Sequence, residues 1–154
     1  MTAPHSGPVR PDDRDLVSWW GHVIEGFHRT HAEVARPVEQ RFGLAAAPAE
    51  VILRLGRTPM HRLPMSRIAT ETALSSGGFT KLADRLIAIG LVRRVRHETD
   101  RRVIHLELTA HGIDIADQVE AATAEALRRH LLEVIGVKDA HALSTVMLRL
   151  RDAR

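Results

Sequence analysis

The chain has no cysteine and no tyrosine, and only Lys81 and Lys138 are lysine. Without cysteine there is no disulfide scaffold, no thiolate zinc site and no thiol redox switch. Aromatic residues are 3% of the sequence: three phenylalanines and the adjacent pair Trp19 and Trp20. No window reaches the about 18 uncharged apolar residues that a membrane span needs. Catalytic signatures are also missing: there is no GxSxG elbow, no P-loop, no GxGxxG and no HExxH. The sequence therefore points away from an enzyme, implies no cofactor, and favours a cytoplasmic address. Residues 1–12 are polar and proline-bearing, lack the apolar stretch of a signal peptide, and read as a disordered tail.

The length of 154 residues fits one domain with an added association element. Apolar residues make up 44%, enough for a real core. Net charge is only +3, yet the isoelectric point is near 10.4, because arginine supplies nearly all the positive charge and hardly titrates. Distribution says more than the total. Arg93, Arg94, Arg96, Arg101 and Arg102 crowd one short segment against Glu98 and Asp100.

Periodicity divides the chain. Leu16, Trp20, Val23, Phe27, Val34 and Val38 share one helical face from about Asp13 to Arg41. Pro37 falls inside that run and predicts a kink or break near Ala35 and Arg36, with Gly43 as a left-handed cap. A second helix is expected from Pro48 to Gly56, a loop over Arg57–Pro64, and a third helix over Met65–Thr72. Ser75 or Ser76 caps a fourth helix whose buried face is Phe79, Leu82, Leu86 and Ile89, ended by Gly90. The period then falls to two. Leu91–Arg96 and Val103–Leu108 read as a hairpin with a charged tip. Thr109 caps a long helix, and a break at Gly136 precedes a last helix carrying Leu143, Val146, Met147 and Leu150.

Helix, turn, helix and basic hairpin in that order describe a winged helix-turn-helix, mainly α with a small β wing. A helix fits the major groove of duplex DNA, and residues near its start reach base edges. Ser76, Thr80, Lys81 and Arg85 are the polar candidates there, and which of them reads a base stays open. Arg94 and Arg96 lie on one face of the first hairpin strand and are candidates for DNA contact from the wing. The apolar stripes of the first and last helices are too large to leave exposed on a monomer, so a homodimer is expected. The expected division is 13–45 with 110–154 for dimerisation and 46–109 for the winged domain.

Four ordered motifs carry a family resemblance: Leu74-Ser75-Ser76-Gly77-Gly78-Phe79-Thr80-Lys81-Leu82-Ala83-Asp84-Arg85-Leu86, Gly90-Leu91-Val92-Arg93-Arg94, Asp100-Arg101-Arg102 and Leu108-Thr109-Ala110-His111-Gly112. On these the chain resembles the MarR family of bacterial regulators. The resemblance implies an obligate homodimer on a pseudo-palindromic operator, commonly a repressor released by a small anionic or aromatic ligand. It also implies that Arg102 enters the minor groove, that Asp100 holds it, and that Arg101 contacts phosphate. A narrow A·T-rich groove concentrates negative potential that a guanidinium can enter. The chain departs from the family pattern at Ala73, where a turn glycine is common, and at Gly77-Gly78. There a bare backbone near the helix start, with Ser75, would approach DNA closely.

Two further readings concern other partners. Trp19, Trp20 and His22 are candidate walls of an effector pocket between the dimer helices and the winged domain, against the plainer reading as dimer core. His22, Glu25, His28 and His31 stand at near-helical spacings, but zinc needs three or four converging ligands, and no HxxxH or cysteine is present. The alternatives are a zinc- or pH-responsive regulator of the same fold, or a winged helix that binds protein without DNA. Repressor and activator are not distinguished by the sequence.

Overall fold

The computed structural model of the protein describes residues 10–72, 75–97, 100 and 102–153. The first helix, α1 (Asp13–Phe42), starts where the Asp12 carboxylate accepts the Asp15 backbone N–H, and it ends at Gly43 with φ 66°. Asp12 thus belongs to the helix start, not to a tail, while residues 1–9 lie outside the described residues. The expected break at Pro37 does not occur: α1 runs through it. Proline removes only the one backbone donor that would reach Glu33, and the adjacent turn keeps an Arg36–Glu33 ion pair at 2.9 Å.

The second helix, α2 (Ala46–Gly56), begins two residues ahead of Pro48. Pro48 falls in the first turn, where backbone donors have no helical partner to lose. A single 3-10 turn, Pro59–His61, follows. It leads into β1 (Arg62–Pro64), a strand where the sequence suggested only a loop. Two helices come next, α3 (Met65–Glu71) and α4 (Ser76–Ala88). The wing strands are β2 (Val92–Arg96) and β3 (Ile104–Leu108). The sheet is antiparallel in the order β1-β3-β2, so β3 is its centre. Leu63 stands opposite Leu106, and Val92 opposite Leu108. All four are buried, which turns that face of the sheet inward.

The chain closes with α5 (Ala110–Leu127), a π turn over Arg128–Leu132, and α6 (Glu133–Asp152), which is interrupted at Gly136 with φ 76° as its sequence predicts. The Thr109 hydroxyl accepts the Gly112 N–H at 2.9 Å and donates to the Gly90 carbonyl at 2.6 Å, so one side chain starts α5 and ties it to the end of α4.

One core joins these parts. Val51, Ile52 and Leu55 of α2, Ile68 of α3, Leu82, Ala83 and Leu86 of α4, Leu106 of β3 and Val119 of α5 are all buried together. Apolar burial of this kind supplies the main driving force for the fold. Ile89, expected on the buried face of α4, is instead 56% exposed, and Ile104 of β3 is 42% exposed. A different surface stays open. Leu16, Trp20, Val23 and Phe27 of α1 and Leu143, Val146 and Leu150 of α6 are each between 42% and 60% exposed. The predicted helical stripes exist, but only Val38 of the α1 stripe reaches the core of its own chain.

Candidate nucleic-acid interface

The start of α4 is set by its cap. The Ser75 hydroxyl accepts the Gly78 N–H at 3.1 Å, satisfying a donor that the helix itself leaves free. A Cβ at Gly78 would stand 3.1 Å from that hydroxyl, whereas one at Gly77 would meet nothing within 4 Å. The bare backbone at Gly78 therefore serves the cap, and the packing of the chain itself gives no reason for glycine at Gly77. Burial of Phe79, Leu82, Ala83 and Leu86 turns Gly77, Thr80, Lys81, Asp84 and Arg85 outward. The Arg85 guanidinium donates weakly back to the Lys81 carbonyl at 3.4 Å. The side chain of Ser76 lies outside the described residues.

The α3 helix is braced from behind. Glu71 receives a hydrogen bond from Arg67 at 2.7 Å and a second from Arg54 of α2. Arg54 also reaches Glu50 at 2.7 Å. The bond from Arg67, and then that from Arg54, hold the Glu71 carboxyl below its ordinary range against the opposing effect of burial. This charged clamp fixes α3 to α2, and hence the turn before α4, at the cost of leaving the Arg54 Nε buried without a hydrogen bond.

The wing presents two different arginine faces. Register pairs Arg93 with Glu107 and Val95 with His105, and places Arg62 of β1 opposite Glu107 as well. Residues paired across strands share a face, so these groups occupy the outer surface of the sheet. There Arg93 Nε donates to Glu107 at 3.0 Å. Arg94 and Arg96 share the other face, as expected from their spacing, but Arg94 reaches back to Asp84 of α4 at 2.8 Å. Asp84 thereby locks the wing to the helix. Arg96 is exposed.

At the wing tip, Asp100 accepts the Arg102 backbone N–H at 3.0 Å and its guanidinium Nε at 3.4 Å. The Arg102 side chain is 92% exposed, so the aspartate orients a group that otherwise projects freely. Arg101 lies outside the described residues.

The candidate effector residues separate. Trp20 and His22 line an apolar trough of about 680 Å³ between α1 and the α5–α6 region, with Phe27, Leu131, Leu143 and Met147. Trp19, 56% exposed, does not line it. The junction between the long helices and the winged domain holds another cavity of about 330 Å³, lined by Phe27, His31, Val38, Ala49, Leu53 and Thr123 and by no tryptophan. Sequence reasoning missed this cavity because its wall comes from α1, α2 and α5 together. Among the described residues no group of three or more His, Asp and Glu side chains is arranged to hold a metal ion. No described helix is long and apolar enough to cross a membrane.

Comparison with known proteins agrees with this geometry. Residues 42–103 match the model of the MarR family. No curated protein matches the chain in sequence. The crystal structure of AbsC, a MarR family transcriptional regulator from Streptomyces coelicolor, is 26% identical, with a TM-score of 0.76 over 94% of this chain and 99% of that one. Sco3205, another MarR family transcriptional regulator from Streptomyces coelicolor, solved in complex with DNA, is 18% identical; the TM-score is 0.78 over 96% of this chain and 92% of that one. NadR, solved in complex with 4-hydroxyphenylacetate, is 19% identical with a TM-score of 0.74 over 99% of this chain and 100% of that one. Residues 42–103 are thus a MarR-family segment, carried in a chain with the winged helix-turn-helix fold of that family's transcriptional regulators.

Proposed function

We propose that the protein is a sequence-specific DNA-binding transcriptional regulator, a repressor that binds a pseudo-palindromic operator as a homodimer and is released by a small anionic or aromatic ligand. The observation that carries the reading is the wing tip: an arginine 92% exposed, held by the aspartate two residues before it, beside a recognition helix whose outer face is polar. An exposed carboxylate next to DNA is repulsive unless it orients a cation, and Asp100 does that for Arg102. Ser75, Ser76, Gly77, Thr80, Lys81 and Arg85 form the major-groove side of the interface. Arg96, Arg101 and Arg102 form the wing side, and Arg94 positions the wing through Asp84.

Residues 46–109 act as the reading unit, and 13–45 with 110–154 as the dimerisation region. The exposed stripe on α1 and α6 supports that division, since a contiguous apolar surface of this kind marks an interface. The Sco3205 complex with DNA and the NadR complex with 4-hydroxyphenylacetate support the two partner classes by analogy of fold. The effector reading rests on the trough at Trp20 and His22.

Binding to a mixed-sequence duplex at increasing salt tests the central claim. A DNA reader loses affinity steeply as counterion release is suppressed. Arg102→Ala should weaken operator binding by on the order of 1–3 kcal/mol with little change in melting temperature. Asp100→Ala should weaken it too, against simple electrostatics. Salt-independent or absent DNA binding would leave a protein-binding winged helix. Sedimentation that shows a folded monomer at micromolar concentration would refute the dimer.

A further inference from the structure

The outer face of the wing carries two histidines that the DNA-binding reading does not use. His97 follows β2, and its backbone N–H extends the ladder to the Val103 carbonyl at 3.0 Å. His105 sits in the central strand opposite Val95 and opposite Pro64. Their rings stack with centroids 5.2 Å apart and planes 24° apart. The backbone N–H of Asp100 donates to Nδ1 of His97 at 3.3 Å, which requires that nitrogen to be unprotonated. Asp100 in turn holds Arg102. A chain of three contacts therefore runs from the stacked rings to the exposed arginine.

We propose that the His97–His105 stack is a proton-sensitive latch on the wing tip, which holds Asp100 and Arg102 in place while both rings are neutral and releases them when the rings take up protons. The inference rests on the DNA-binding reading for its consequence, though not for the latch itself. Protonation at His97 Nδ1 replaces an acceptor by a donor facing the Asp100 N–H, so that bond is lost. The new imidazolium also competes with Arg102 for the Asp100 carboxylate. Two charged rings at stacking distance repel, and the flanking charges add to this. From β1, Arg62 faces His105; from β2, Arg93 is occupied by Glu107; from β3, Glu107 is the one carboxylate beside His105. In the turn before β1, His61 is turned toward the Gly56 carbonyl, and Glu98, next to His97 in sequence, lies outside the described residues. Burial first, then His97 and Arg62, push the His105 pKa below its ordinary value, with Glu107 opposing. A group depressed in this way favours the ordered tip above its unfolded pKa, and that contribution is lost as pH falls through the lowered folded value. The window lies below about pH 6.5, where histidine changes charge.

The test compares the full-length protein with the double variant His97→Asn/His105→Phe. Asparagine keeps an acceptor near the Nδ1 position, phenylalanine keeps a flat ring, and neither titrates. Binding to a fluorescein-labelled A·T-rich duplex is measured from about pH 7.5 to about pH 5.5 at constant ionic strength. Wild-type affinity is expected to fall about three- to tenfold more than that of the variant, a tenfold change corresponding to one unit of pKa difference between latched and free tip. Parallel changes, or tightening of the wild type in acid as added positive charge alone would give, overturn the proposal. Absence of DNA binding at every pH would refute the DNA reading instead. The latch is then decided on DNA-free wild-type protein by NMR titration. The ring Cε1–H signal of His105 should titrate below the ordinary histidine value, with the His97 ring signal and the Asp100 amide shifting in step. Titration of His105 at the ordinary value, with the His97 ring signal and that amide unmoved, refutes the latch whether or not the variant folds.

Discussion

Replacing Gly112 by alanine probes the joint between the winged domain and the long helix that leaves it. Gly112 is the third residue of α5 and is buried beside the base of the wing. An added Cβ would lie 1.9 Å from the Leu91 carbonyl oxygen and 2.9 Å from its carbon. No rotamer relieves that overlap, because the obstacle is backbone. The carbonyl cannot step aside cheaply either: it accepts the Thr109 N–H at 3.0 Å, while the Leu91 N–H is held by the Leu86 carbonyl at 3.0 Å. The first turn of α5 must therefore move away, taking with it the Thr109 hydroxyl that links Gly90 to Gly112. Overpacking of this kind costs about 1–3 kcal/mol, and each hydrogen bond lost in the adjustment adds about 1 kcal/mol. A destabilisation near 3 kcal/mol corresponds to a fall in Tm of roughly 6–12 °C for a chain of this size. Thermal unfolding by circular dichroism, at matched protein concentration because association shifts apparent stability, gives the answer. A variant within about 0.5 kcal/mol of the parent, the ordinary range of a harmless surface change, would refute the argument.

Three further outcomes follow from the geometry. Gly77→Ala, where the new methyl meets open space, should stabilise the protein by about 0.4–1 kcal/mol through the unfolded chain, yet weaken DNA binding if the bare backbone meets the duplex; unchanged affinity in a binding titration would remove Gly77 from the interface. Glu71→Gln should cost about 1–2 kcal/mol in urea unfolding, because the part-buried Arg54 loses a charged partner. Since the Glu71 pKa is lowered, its contribution is present above the unfolded carboxylate value and fades as pH falls through the folded one, so wild type and variant should converge in acid. DNA binding should be unaffected by mild peroxide, because a chain without cysteine has no thiolate to form a sulfenic acid or disulfide; reversible loss restored by a thiol reductant would contradict this.

Much of the architecture was legible locally. The caps at Ser75 and Thr109, the left-handed glycines at Gly43 and Gly90 and the interruption at Gly136 all lie where residue chemistry places them. Each depends on neighbours a few residues away, so a linear reading captures it. The hairpin and its exposed tip follow from the change of period and the charge of the turn. The absence of thiol chemistry follows from composition alone.

Tertiary contact decided the rest. Arg62–Pro64 is too short to display any period, and it becomes a strand only because Leu63 meets Leu106, more than forty positions away, in one hydrophobic sheet face. Arg94 is one of several wing arginines in the sequence, and its engagement with Asp84 exists only once β2 has been laid beside α4. Pro37 is a helix breaker by local rule, yet α1 continues through it, since one missing donor in a long helix is outweighed by the bonds and packing on either side. The apolar stripes of α1 and α6 read in the sequence as faces too large to leave exposed on a monomer, and on the single folded chain they stand open. Periodicity fixes which residues share a face, whereas what covers that face depends on where the whole chain goes.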